Sequence, residues 1–123
     1  MVMAVARKYR DLIAWQLADE FKKEVFQILR SSDAAWRSLR YRDHLIDEAS
    51  GVAANIAEGF LRHSPAQFRQ FLDYAIASIG EAENRLADGI DLGFFNRDRC
   101  DIAFQLARRC LTASVRLKQS QKR

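Results

Sequence analysis

Residues 54–86 read ANIAEGFLRHSPAQFRQFLDYAIASIGEAENRL, and this stretch decides the fold. Ser64 offers a capping hydroxyl, Pro65 suits the first helical position, and Gln67 completes an S-x-x-Q capping box. From that start Phe68, Leu72, Ala75, Ile79, Ala82 and Leu86 recur in steps of four and three. Such spacing holds one apolar stripe on one face of a helix, the seam of a bundle. Phe71 and Ile76 widen the seam into a core-facing arc. Gly59 reads as the breaker that ends the preceding helix, and Gly89 and Gly93 bracket the stop of this one.

Working outward, the periodicity predicts four helices, over about 11–31, 37–60, 65–90 and 96–119. The second carries Leu45, Ala49, Val52 and Ile56 as its seam, beside the small residues Gly51, Ala53, Ala54 and Ala57. Small side chains let a neighbouring backbone come close, so this helix is expected to pack on more than one side. Asn96 is placed to cap the fourth helix, whose stripe runs Cys100, Ala103, Ala107, Leu111 and Ser114. The first helix presents Ala14, Ala18, Phe21, Val25 and Ile28. Short links at 61–64 and 91–95 suit adjacent antiparallel helices. The 31–36 link, SSDAAW, is expected to pack through Trp36 and Leu39. The expected fold is therefore all-α: one domain over residues 1–123, an antiparallel up-down-up-down four-helix bundle.

Two further stripes lie off the core seams: Trp15 and Phe26 on the first helix, and Ile102, Leu106, Ala113 and Leu117 on the fourth. Oblique packing around a wide core accounts for them, and so does a homo-oligomer interface. The second reading is preferred, with Trp15, Phe26, Ile102, Leu106 and Leu117 as interface residues.

Composition removes several classes. One proline and five glycines in 123 residues leave little room for low-complexity tracts. No apolar run approaches the ~18 residues that span a bilayer. The N-terminal MVMAVARKYRDL has its apolar start before its charges, the reverse of a secretory signal, so a cytoplasmic protein without a membrane partner is expected. Cys100 and Cys110 sit about 15 Å apart along one helix, too far for a disulfide. They read as reduced thiols of the core or of an interface.

No arrangement for catalysis emerges. A di-metal carboxylate bundle needs Glu-x-x-His on two helices, and the chain has none. Neither cysteine has a nearby histidine in sequence, and Ser50, Ser78 and Ser114 lack the strained turn that exposes a nucleophile. Gly51 and Gly59 form no phosphate loop. The expectation is a protein that is not an enzyme and carries no cofactor or metal.

Charge is divided along the chain. Residues 1–42 carry net +4, residues 43–91 net −6 and residues 92–123 net +6. The basic ends could form one side that attracts nucleic acid, or they could complement acidic neighbours. Arginine outnumbers lysine fifteen to five, which suits bidentate phosphate contact. Arg37, Arg40 and Arg42 cluster with Trp36 and Tyr41, while Arg108, Arg109 and Arg116 share the polar side of the fourth helix. Those six are the candidate nucleic-acid contacts. Arg7, Lys8 and Arg10 precede the first helix, and Lys118, Lys122 and Arg123 form a basic tail.

Asn55-Ile56-Ala57-Glu58-Gly59, then Phe68, Phe71-Leu72 and the run from Ala75 to Glu83, resemble the bacterial four helix bundle protein family. It is also called the 23S rRNA intervening-sequence protein family, because some members are encoded within insertions in large-subunit rRNA genes. Tyr9-Arg10-Asp11-Leu12-Ile13-Ala14-Trp15-Gln16 is similar to its other hallmark. The resemblance implies an antiparallel four-helix bundle assembled as a homopentamer, with no catalytic activity or cofactor. A related protein of diversity-generating retroelements binds nucleic acid and partners a reverse transcriptase. Two features depart from the pattern: Ile46 and Asp47 stand where many relatives carry two arginines, and Ala53 where proline is frequent. A nucleic-acid site is then expected on the terminal helices. Asn55, Glu58 and Gly59 match the motif and are expected to be structural. The resulting expectation is a non-catalytic, oligomeric, RNA- or DNA-associated accessory protein. The alternative is an oligomeric scaffold for a protein partner.

Overall fold

A computed structural model describes residues 6–122. Among them the chain forms helices and no strand. A 3-10 turn at Tyr9–Asp11 leads into α1 (Ile13–Arg30), a short α2 (Asp33–Arg37), α3 (Leu39–Leu61), α4 (Pro65–Asp91) and α5 (Arg97–Ser120). The four long helices correspond to the four predicted, and α2 is additional.

The differences at the ends have local causes. Sequence reading starts the first helix at residue 11, yet the Asp11 carboxylate turns back to accept from the backbone N–H of Arg7 and Lys8, each at 3.2 Å. Leu12 is extended (φ −74°, ψ 129°), so α1 begins at Ile13. In the 31–36 link Ser32 accepts from the Ala35 N–H and caps the single turn of α2. Ala35 is the residue of that turn that packs inward, whereas Trp36 and Leu39 stay 41% and 60% exposed. The expectation that those two anchor the link is therefore corrected.

Glycine is used differently from its punctuation in sequence. Gly59 lies inside α3, which continues to Leu61, and the left-handed residue after the helix is His63 (φ 54°). Gly59 is buried where α4 begins: a Cβ built there would stand 2.7 Å from Phe71 Cβ and 2.9 Å from Phe68 Cδ1. Gly89 lies inside α4, where a Cβ would strike the Tyr41 hydroxyl and the Phe95 ring. The stop belongs to Gly93 (φ 81°), whose N–H donates to Ile90 O while Phe94 N–H donates to Gly89 O. That pair of bonds is a Schellman closure.

Caps at Ser64 and Asn96 form, accepting from Gln67 N–H and Arg99 N–H. Among the described residues the Gln67 side chain does not bond back to Ser64, so the expected capping box is only half made. The six seam residues of α4 and the four of α3 are all buried. On α5, Cys100, Ala103, Ala107 and Ser114 are buried, Leu111 is half-buried, and Cys110 joins the core. Both cysteines are free thiols. One continuous cluster of buried side chains results, with α3 packed on α1 and α4, and α5 on α1 and α4.

Polar contacts tie the helices together at their rims. Tyr41, in the first turn of α3, donates its hydroxyl to Arg85 O, late in α4, at 2.7 Å. Arg85 in turn grips the Glu48 carboxylate with two bonds, 3.0 and 2.6 Å. Arg99 at the start of α5 pairs with Glu24 of α1, and Lys118 near its end pairs with Asp73 of α4. No helix among the described residues is long and apolar enough to cross a membrane.

Candidate nucleic-acid interface

Where α1 and α5 lie side by side, the rim residues leave a groove of about 580 Å³. Its apolar wall is Ile13, Leu17 and Ala113; Gln105, Arg108, Arg109, Thr112 and Arg116 complete the lining. The helical repeat explains the arrangement. Arg109 and Arg116 are two turns apart on one line, about 10 Å along the axis, with Gln105 and Thr112 on the same side. All five polar residues are exposed, and Ile13 is 68% exposed. None of the three arginines pairs with a carboxylate among the described residues. Arg108 also reaches the field of Glu83 on α4: burial pushes the Glu83 carboxyl up, and Arg108 partly offsets that.

The other predicted trio is separate. Arg37 and Arg40 are exposed at the end of α2 and the start of α3. Arg42 is occupied within the molecule: its guanidinium stacks 4.9 Å over the Trp36 ring, donates to Trp36 O at 3.3 Å and bonds Asp43 at 3.1 Å. Thus Arg108, Arg109 and Arg116 are brought together, and Arg37, Arg40 and Arg42 do not join them. Sequence reading missed Ile13, Leu17, Gln105 and Thr112 as groove residues. Ile13 carried a signal, since it is an aliphatic residue off the core seam beside Leu12.

The family-motif residues make contacts within the bundle and along its surface. Asn55 donates through Nδ2 to Gly51 O at 2.8 Å. Glu58 bonds Arg62 one turn on, at 2.8 Å, in an exposed pair. Gly59 supplies the close approach of α3 and α4.

Of the residues expected at an interface, Trp15 and Phe26 are half-buried and line a second groove, about 370 Å³, against Ser50, Ala53, Ala54 and Ala57 of α3. Arg10 stacks 4.9 Å over Trp15, whose ring also meets Tyr9 edge-on at 5.4 Å. Ile102 is 57% exposed, Leu117 is half-buried against the core, and Leu106 is a core residue at 8%. The stripe read on α5 is therefore not continuous at the surface.

No group of three or more histidine, cysteine, aspartate or glutamate side chains converges among the described residues. Fold and surface define a class: an all-helical protein around one apolar core, with three arginines that have no carboxylate partner among the described residues gathered on one groove. Residues 10–114 match the model of the 23S rRNA-intervening sequence protein family, and the chain belongs to that family. No curated protein matches it.

Proposed function

We propose that this is a self-assembling antiparallel four-helix bundle of the cytoplasm, a homopentamer that associates with RNA as a non-catalytic accessory protein. The observation that carries the reading is the α1/α5 groove. Arg108, Arg109 and Arg116 stand exposed there, without carboxylate partners among the described residues, beside an apolar wall that can cover part of a ligand. Several other arginines are held within the bundle, as Arg85 is by Glu48, Arg99 by Glu24 and Arg42 by Asp43. A phosphate backbone supplies the missing counter-charge, and arginine meets it bidentately. The antiparallel course is supported by the start of α3 meeting the end of α4 through Tyr41 and Arg85, and by Arg99 meeting the later half of α1 through Glu24. Self-association is supported by Ile102, which lies outside the groove and leaves apolar surface uncovered on α5.

Fluorescence anisotropy with a single-stranded RNA across a salt series tests the reading. Binding should weaken steeply with salt, and replacing Arg108, Arg109 and Arg116 together by glutamine should lower the log–log slope by about 2, at ~0.7 per lost contact. Loss of the Arg37 and Arg40 charges should change it less. A wild-type chain with no affinity at ~50 mM salt ends the RNA reading and leaves the protein-scaffold alternative. Light scattering on the same sample should give about five chain masses, and a monomer at micromolar concentration would end the assembly reading.

A further inference from the structure

A cavity larger than the arginine groove lies elsewhere on the molecule. It is an open cleft of about 780 Å³ between the start of α3 and the end of α4, and the RNA reading makes no use of it. One bank carries Arg40 and His44 from α3, and the other carries Asp88 and Asp91 from α4. Between them run Leu39, Tyr41, Leu92 and Phe94. Tyr41 and Phe94 pack edge-on at 5.0 Å, whereas Leu39 and Leu92 are left 60% and 62% exposed.

The polar groups divide into those already satisfied and those left open. Arg85 reaches the cleft but is held by Glu48, Tyr41 spends its hydroxyl proton on Arg85 O, and Ser38 donates to Ala34 O. Arg40, His44, Asp88 and Asp91 make no side-chain hydrogen bond or ion pair among the described residues. Opposite charges thus line one cavity without meeting across it.

Helix energetics do not explain these charges. The last turn of α4 holds Asp88 and Asp91 and no basic residue, at the end where a helix favours cations. The first turn of α3 holds Arg40 and no acidic residue, at the end where a helix favours anions. Both placements run against the dipole preference, so neither stabilises its own helix. Each instead adds to the potential of its bank: negative on α4, positive on α3.

We propose that this cleft binds a small zwitterion with an apolar body, the chemistry of a hydrophobic amino acid or a short apolar peptide with free ends. Its ammonium faces Asp88 and Asp91, its carboxylate faces Arg40 and His44, and its side chains cover Leu39, Leu92 and the Phe94 ring. The volume lies within the ~300–1,000 Å³ range of small-molecule sites.

Saturation-transfer NMR titrations on the full chain test the assignment, using leucine, phenylalanine and the dipeptide leucyl-phenylalanine as probes. N-acetyl-leucyl-phenylalanine and leucyl-phenylalanine amide each lack one charge. The dipeptide is expected to saturate, with each capped form at least tenfold weaker. Asp88→Asn with Asp91→Asn should abolish discrimination against the acetylated form. Arg40→Gln with His44→Gln should abolish discrimination against the amide. These residues are exposed, and unchanged melting curves verify that the variants fold. No saturable binding by any of the three zwitterions, capped forms that bind as well as the dipeptide, or discrimination that survives both double variants each overturns the proposal.

Discussion

Gly59→Ala should destabilise the protein, although alanine is the better helix former. In an open helical position the exchange gains about 1 kcal/mol. At Gly59 the new methyl would lie 2.7 Å from Phe71 Cβ, 2.9 Å from Phe68 Cδ1 and 3.4 Å from Phe68 O. A Cβ and a carbonyl cannot swing away as a long side chain can, so the start of α4 has to shift off α3. Overpacking of that kind costs about 1–3 kcal/mol, and more when backbone moves. The net expectation is a loss of about 1–2 kcal/mol and a melting temperature lower by roughly 3–10 °C. Gly80→Ala is the internal comparison, because apart from its chain neighbours and its own helix backbone no atom of the described residues lies within 4 Å of a Cβ built there. It should stabilise by about 0.5–1 kcal/mol. Thermal melts of the two variants should move in opposite directions. If Gly59→Ala rises with Gly80→Ala, close packing is not the role of this motif glycine.

That pair also shows where sequence reading reaches its limit. A glycine signals a missing Cβ, and a missing Cβ serves a left-handed turn and a tight crossing equally well. Which one applies at Gly59 depends on Phe68 and Phe71, and at Gly89 on Phe95 and on Tyr41, 48 positions earlier. The left-handed turn after α3 falls instead to His63, which no composition rule selects. The seams of α3 and α4 were legible because burial there follows the helical repeat alone. So were the caps at Ser64 and Asn96, where the partner N–H is three residues away. Leu106 was misplaced because the buried arc of α5 is broad enough to reach it.

The candidate sites repeat the contrast. Arginine clusters are visible in sequence, but whether an arginine is free is not. Arg42 looks like its neighbours until Trp36 and Asp43 are found holding it. The groove of Arg108, Arg109 and Arg116 needs Ile13 and Leu17 from the other end of the chain. The cleft of Arg40 and Asp88 likewise needs two helices that sequence reading treats separately. Two cavities with different electrostatics result: a one-sided basic groove on α1 and α5, and a two-signed cleft on α3 and α4. A polyanion suits the first, and a zwitterion suits the second.

Alkaline pH should destabilise this protein through its core, beginning with its two buried thiols, Cys100 and Cys110. The Cys110 thiol donates to Ala14 O at 3.6 Å and lies 4.0 Å from the Ser114 hydroxyl, with no solvent exposure. Burial pushes the thiol from 9.0 up to about 11, and the Ser114 contact only partly offsets this. The folded state therefore keeps a proton that the unfolded chain releases. The stabilising contribution is complete below pH 9 and is lost as pH rises towards 11. At about 1.4 kcal/mol per unit the loss approaches 3 kcal/mol over that window. Burial raises Cys100 and the Tyr41 phenol as well, so the decline continues beyond Cys110 alone. Urea melts between pH 7 and 11 should show stability falling from pH 9 upward. Cys110→Ala, which cannot ionise, should begin less stable at pH 7 because it leaves a small cavity. Its curve should then fall less steeply, and the gap to the wild type should close as pH approaches 11. Parallel curves across that window would mean that the thiol ionises in place and that water reaches the interface of α1 and α5.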